Sequence, residues 1–157
     1  MSAPLVYDAI CRSSISIFQT QNQSITQNAV STKIEYNKQR FKKGNKLEFD
    51  ITHNAIKCKK TGLVYINIKT NIRSGAQSGQ WIYINLRKNN GQTLAKFSNC
   101  IGSGSSAQHL IHSAIVNVNE NDYIYVEIIN YSSNQIIIGY EETTDTFQCN
   151  ELSALYI

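Results

Sequence analysis

The stretch WIYINLRKNNGQTL, residues 81–94, decides the fold class. Ile82, Ile84 and Leu86 alternate with Trp81, Tyr83 and Asn85, the period of two that a strand needs to bury one face. Asn90-Gly91 then follows, a pair that accepts positive φ at little cost, so the chain reads as a hairpin returning through Leu94. The same alternation recurs on both sides. Val64, Ile66 and Ile68 oppose Tyr65, Asn67 and Lys69; Ile124, Val126 and Ile128 oppose Tyr123, Tyr125 and Glu127. No longer window sustains the i, i+3, i+4, i+7 spacing of a helix. Turn signals punctuate the runs at Lys43-Gly44-Asn45, Gly102-Ser-Gly-Ser-Ser106, Asn119-Glu-Asn-Asp122 and Ser132-Ser-Asn134. Eight to ten short strands are expected, with no boundary inside residues 14–157, a loop over 19–30 and an extended leader over 1–13. That pattern is all-β: an antiparallel sandwich or jelly roll.

Composition agrees. The 157 residues include 22 Ile, which suits strands, and 17 Asn, which suits turns, with a single Pro. One domain is expected, large enough to bury about 69% of its unfolded surface. Charge is unevenly placed. Residues 1–96 hold all 15 Lys and Arg with four acids, a net +11; residues 97–157 hold seven acids and no Lys or Arg, a net −7. A uniformly basic nucleic-acid binder is therefore disfavoured. Cys11, Cys58, Cys100 and Cys149 lack paired metal or redox spacing, and free, mostly buried thiols are expected. The N-terminal run has no basic flank of a secretory signal. The longest wholly apolar run, Ile136–Ile138, is far short of a membrane span, and no membrane insertion is expected.

Sites for chemistry are sparse. His109 and His112 are three apart in a strand-patterned run, where such residues point to opposite faces; with His53 they make no metal site. The loop 102–106 lacks the Lys and the helix of a phosphate-binding loop. No Gly-x-Ser-x-Gly occurs, and no catalytic residue or cofactor is expected. Asp122, Glu141, Glu142 and Asp145 are read as solvated acids; they are the only calcium candidates, as weak ligands beside neighbouring carbonyls. Nine basic residues fall between Lys33 and Lys60, with Phe41 among them. Lys on an exposed edge discourages edge-to-edge pairing. The functional alternative makes Lys38, Arg40, Lys42, Lys43 and Lys46 the contact to an acidic partner, ahead of nucleic acid. Asn22-Gln-Ser and Asn130-Tyr-Ser are glycosylation sequons that matter only in a secreted chain.

The order of segments resembles the jelly-roll superfamily of tumour necrosis factor and the complement globular head. KIEYNKQRFKKGNKLEFDITHNAIKCKKTGLVYINI (33–68) resembles its first half, with Ile56 to Tyr65 as the Gly-aromatic signature. Ile56 stands where Phe is usual and Thr61 where Pro is usual. WIYINLRKNNGQ (81–92) looks like the family's Asn-Gly hairpin, and AIVNVNENDYIYVEI (114–128) like its strand–turn–strand element. DTFQCNELSALYI (145–157) looks like its closing strand, with Phe147 as the aromatic and no Gly after it. The resemblance covers roughly 14–157.

The resemblance implies a ten-stranded, non-enzymatic sandwich that binds partners and assembles as a homotrimer. It implies that strands near 14–18, 64–70, 123–129 and 152–157 share the inner sheet. The other face of that sheet would then carry Tyr65, Tyr123, Tyr125 and Tyr156, a patch suited to a three-fold interface. The expected role is a virion protein, a phage head fibre or decoration protein. Its 1–13 leader would dock on a capsid or other virion protein, and its head would bind a host glycan or receptor. The alternative is a secreted or cell-surface lectin-like module assisted by calcium at the acidic loops.

Overall fold

Every strand ladder in the computed structural model is antiparallel. The structure describes residues 13–89, 91–102, 108–142 and 147–157. Most of the leader lies outside them. Ser13 does not: it is buried, its Oγ accepts from Lys46 N at 3.0 Å, and its carbonyl accepts from Tyr156 N at 2.8 Å.

Two sheets face one another. The seven-stranded sheet runs β2 (Gln23–Ile25), β12 (Ile136–Ile138), β7 (Gly62–Ser74), β15 (Glu151–Tyr156), β1 (Ser14–Phe18) and β4 (Lys38–Lys43), with β10 (Gln108–Val118) also paired to β7. The six-stranded sheet runs β5 (Leu47–Asp50), β6 (Ala55–Cys58), β11 (Tyr123–Asn130), β8 (Trp81–Lys88) and β9 (Gln92–Cys100), with β3 (Ser31–Lys33) on β11. A small ladder joins β13 (Glu141–Glu142) to β14 (Phe147–Gln148). First and last strands of the barrel-like sandwich lie side by side, Ile15 opposite Ala154 and Ile17 opposite Leu152. The structure is the TNF-like jelly roll, cut into more and shorter strands than the alternation alone suggests.

The alternating residues build the core. Ile15, Ile17, Val64, Ile66, Ile68 and Leu152 meet Ile56, Ile82, Ile84, Leu86, Ile124, Val126 and Ile128, all fully buried. Each Ile so placed contributes roughly 1.5–3 kcal/mol relative to exposure. The 81–94 reading holds: β8 and β9 pair as a hairpin from Trp81 opposite Cys100 to Lys88 opposite Gln92. Gly62 of the signature earns its place by crowding: a Cβ there would stand 2.6 Å from Tyr156 Oη, whose hydroxyl donates to Lys60 O at 2.8 Å.

One sheet assignment is corrected. The 123–129 strand, β11, belongs to the six-stranded sheet, while 14–18, 64–70 and 152–157 share the other. In β7 the alternation also fails, because Thr70, Asn71 and Ile72 are all buried where β12 joins with a register shift. A buried amide network pays for this break. Asn150 accepts from Asn71 N at 2.7 Å and donates to Gln19 Oε1 at 2.5 Å, while Asn71 Nδ2 donates to Gly139 O at 3.1 Å.

Candidate functional site

Register and parity determine what the outer face of the seven-stranded sheet presents. Tyr65 lies opposite Ile115 on one side and Leu155 on the other. Ser14 lies opposite Leu155 and Lys43, and Ser16 opposite Phe41 and Ser153. These residues share the outward parity, because Val64, Ile66, Ile15 and Leu152 take the inward one. Leu63, Tyr65, Phe41, Ile111 and Ile115 are exposed on this face, and Ile111 and Ile115 keep 64% and 62% of their surface. Their flanking partners include the uncharged Ser14, Ser16, Asn67, Ser113 and Ser153, but charge borders them on the same face: Lys69 lies opposite both Ile111 and Glu151, and Lys43 opposite Ser14.

Relief on the face is of two kinds. Between β4, β1, β15 and β7 a groove of about 240 Å³ is lined by Ser14, Phe41, Tyr65, Asn67, Ser153, Ala154 and Leu155, and its exposed walls are carbon. On the edge strand β10, Ile111 and Ile115 stand out as ridges four residues apart, roughly 13 Å along a strand. Monomers rarely leave so connected an apolar surface uncovered.

The four candidate tyrosines do not form one patch. Tyr65 alone sits on the outer face just described. Tyr156 points inward beside Val64 and is buried, and Lys46 Nζ lies 4.7 Å from its ring centroid. Tyr123 and Tyr125 are on the outer face of the opposite sheet. There Lys33 Nζ stands 4.1 Å over Tyr125, and His53 packs on Tyr123 at 4.4 Å. These two line a cleft of about 320 Å³ with Lys33, His53, Asn89 and Glu120 to Asp122.

Asp122 is a structural anion, which removes it from the calcium candidates. Lys88 Nζ lies 3.0 Å from Oδ2 with both side chains nearly buried, Asn89 Nδ2 donates to Oδ1 at 2.7 Å, and Asn119 N donates to Oδ2 at 2.8 Å. Burial pushes its pKa up, but the Asn119 N–H, the Asn89 amide and the Lys88 ammonium together hold it below the usual carboxylate value. Three of its roughly four acceptor positions are taken. The Asp145 position and the side chains of Glu141 and Glu142 lie outside the described residues, and among the described residues no cluster of three metal-ligating side chains forms.

Strand β4 is exposed along its whole length, so Lys38, Lys42 and Lys43 reach solvent at a sheet edge. Arg40 is engaged internally, 3.7 Å from Glu151 Oε2 and 3.4 Å from Cys149 Sγ. Phe41 points into the apolar groove rather than among the lysines. The histidines divide as expected: His109 outward, His112 inward, stacked on Phe97 at 4.5 Å. Burial lowers the His112 pKa, and its Nε2 is buried without a partner. Cys58 and Cys149 are buried free thiols, and burial pushes Cys58 up to about 12; Cys100 is free and exposed. Asn130 is fully buried and bonded to Asn134 O at 2.8 Å, so that sequon is not an acceptor in the folded chain.

The apolar face was missed in the sequence, although a signal was present. Strand β10 carries apolar residues on both parities, Leu110 with Ile111 and Ala114 with Ile115, and β7 does the same at Leu63 and Val64. A strand that is apolar on both sides has a second surface to cover.

No protein-family model and no curated protein matches the chain. Solved structures do. A crystal structure of murine APRIL at pH 8.0 superposes with a TM-score of 0.66 at 10% identity, covering 93% of this chain and 99% of that one. Murine APRIL at pH 5.0 gives 0.65 with the same identity and coverage. A structure of Eiger TNF from S. frugiperda gives 0.63 at 8% identity, covering 93% of this chain and 92% of that one. At such identities the likeness establishes the TNF-like jelly-roll fold.

Proposed function

We propose that this chain is a non-enzymatic attachment protein that assembles as a homotrimer through the outer face of its seven-stranded sheet. The observation that carries the reading is the pairing of relief on that face. An apolar groove lies at β4, β1, β15 and β7, and protruding isoleucines lie at the β10 edge of the same sheet. Groove and ridge sit at different places on one copy, so contact between copies is head-to-tail, and a head-to-tail contact that closes makes a ring. The family resemblance supplies the ring number, three. Such a ring turns its three six-stranded sheets outward, where weak sites gain avidity against a repetitive surface.

In this reading the carrier is a virion and the chain is a head fibre or decoration protein. The Ile-, Asn- and Lys-rich composition, which suits an AT-rich genome, supports that placement. The exposed lysines 38, 42 and 43, with the half-buried Lys46 beside them, suit an acidic counterpart on the carrier. Antibody labelling of purified particles tests the placement, and particles that carry none of this chain would remove it.

The assembly is tested by complementation. Phe41→Asp spoils the groove and leaves the ridge; Ile111→Asp, opposite Lys69 and away from the groove wall at Tyr65, spoils the ridge and leaves the groove. Each variant alone should be monomeric by light scattering, and a mixture should form dimers through the one intact groove–ridge contact. Variants that keep the wild-type mass would overturn the reading.

A further inference from the structure

Trp81, the only tryptophan of the chain, is not used by the core or by the assembly face. It begins β8 on the outer face of the six-stranded sheet and is 47% exposed; Tyr131, 52% exposed, lies beside it, tied by its N–H to Trp81 O at 3.1 Å. Tyr83, two residues along the same face, meets Tyr131 edge-on with ring centroids 5.1 Å apart. Lys96 Nζ stands 4.2 Å over the Tyr83 ring, so Tyr83 buttresses Tyr131 and the rings left open to a ligand are Trp81 and Tyr131. Two large exposed rings side by side mark a recognition site rather than solvent-facing filler.

The chemistry around these rings names the ligand. The rim nearest Trp81 and Tyr131 is made of uncharged amides and hydroxyls. Gln80 Nε2 donates to Gln77 Oε1 at 2.8 Å and to Ser133 Oγ at 3.2 Å, and Ser133 Oγ donates to Gln77 Oε1 at 3.2 Å. Gln80 Oε1 is left buried and without a partner. The backbone beneath is fixed. Gly79 N donates to Ile101 O and Ile101 N to Gln80 O, each at 2.8 Å, while Ser132 N donates to Asn130 Oδ1 at 2.9 Å. Flat rings that stack on C–H faces, beside neutral donors and acceptors that meet hydroxyls, are what a pyranose needs.

We propose that Trp81 and Tyr131, with Tyr83 supporting Tyr131 edge-on and Gln77, Gln80 and Ser133 at the rim, form a binding platform for an uncharged saccharide. This deepens the attachment reading by naming its ligand class, and rests on it only for avidity. The site is complete within one copy and lies on the sheet turned away from the proposed ring contact.

Because Trp81 is the sole indole, its fluorescence reports on the site directly. The full chain is titrated with maltohexaose, cellohexaose, mannohexaose and chitohexaose. The expected result is a saturable blue shift with at least one of them. Tyr131→Ala, which keeps the reporter, should weaken that binding about tenfold. Ile111→Ser/Ile115→Ser should bind the same sugar with unchanged single-site affinity, so failure of the ring and failure of the platform read differently. No saturable shift with any of the four, or a Tyr131→Ala titration that matches wild type, overturns the proposal.

Discussion

Replacing Ile111 and Ile115 together by Ser asks whether the apolar face is what holds copies together. Both side chains point outward from an edge strand, and about two thirds of each remains to be covered. Burying an Ile from full exposure yields roughly 1.5–3 kcal/mol, so each has about 1–2 kcal/mol left to contribute at an interface. The pair then supplies about 2–4 kcal/mol per contact, and a closed ring of three loses about 6–12 kcal/mol. The half-assembly concentration of a trimer varies as the square root of its dissociation constant. It should therefore rise roughly 150- to 25,000-fold. Ordering costs at the interface reduce this, yet a third of the energy still moves the midpoint about fivefold or more. Sedimentation over a wide concentration series separates a ring of about 53 kDa from the 17.7 kDa chain. The variant's own thermal unfolding as a monomer should be unchanged, since no core contact is touched. A double variant that assembles like the wild type, or a wild type that stays monomeric throughout, would refute the reasoning.

Other expectations test the frame. Asp122→Asn removes one partner of a nearly buried pair and leaves the Lys88 ammonium uncompensated; a loss of about 3–5 kcal/mol is expected in urea unfolding, and a loss below about 1 kcal/mol would mean the pair is solvated. Gly62→Ala places a methyl against the Tyr156 ring and hydroxyl, which should cost about 1–3 kcal/mol by the same measurement. His112 has its pKa lowered from 6.5 by burial. The unfolded chain therefore takes up this proton first, so the stability linked to it is complete above pH 6.5 and is lost as pH falls through the folded value. His112→Leu should flatten the melting temperature over that window, and an unaltered slope would place the acid sensitivity elsewhere. Assembly held chiefly by the apolar groove and the outward isoleucines should keep most of its strength at high salt in light scattering; dissociation by salt would point to ion pairs between copies, for which Lys43, Lys69 and Glu151 lie on the same face.

Period-two alternation made the core legible, because burial on one face imposes it residue by residue: Val64, Ile66 and Ile68 could face no other way. Alternation states parity, however, and not which sheet a strand joins. Nothing in YIYVEI distinguishes a neighbour of β7 from a neighbour of β8, and the tyrosine patch was lost on that point. Tyr156 shows a second limit. In ELSALY the apolar residues Leu152, Ala154 and Leu155 occupy both parities, so the inward face of the last strand is settled only by pairing with β7. The apolar interface was hidden for the same reason: strands apolar on both faces blur the signal that identifies either one. Asp122 was misread because an acidic turn looks the same whether solvent or a lysine thirty-four residues earlier in the chain meets it.

The divided charge of the sequence has a local resolution. Arg40 meets Glu151, Arg87 bonds Glu127 at 2.9 Å, and Lys88 meets Asp122 at 3.0 Å. Each pair joins a base from the +11 segment to an acid from the −7 segment, across ladders or turns that bring the two segments together. Three of the seven acids of the late segment are thus paired in closing the sandwich, with early strands interleaved among late ones. Part of the remaining positive charge lies at one margin, where Lys42 and Lys57 flank the Glu48–Lys59 pair and Lys60 lies close by. That margin adjoins the groove through β4: Phe41 lines the groove and no lysine does, while Lys43 borders it on the same parity. Two surfaces with different physics thus share one edge strand. The apolar side suits a second copy of the chain, and the lysine side suits a carrier with acidic residues. Docking to that carrier should weaken with salt while the ring persists, and a chain whose ring and docking fail together at one ionic strength would contradict that division.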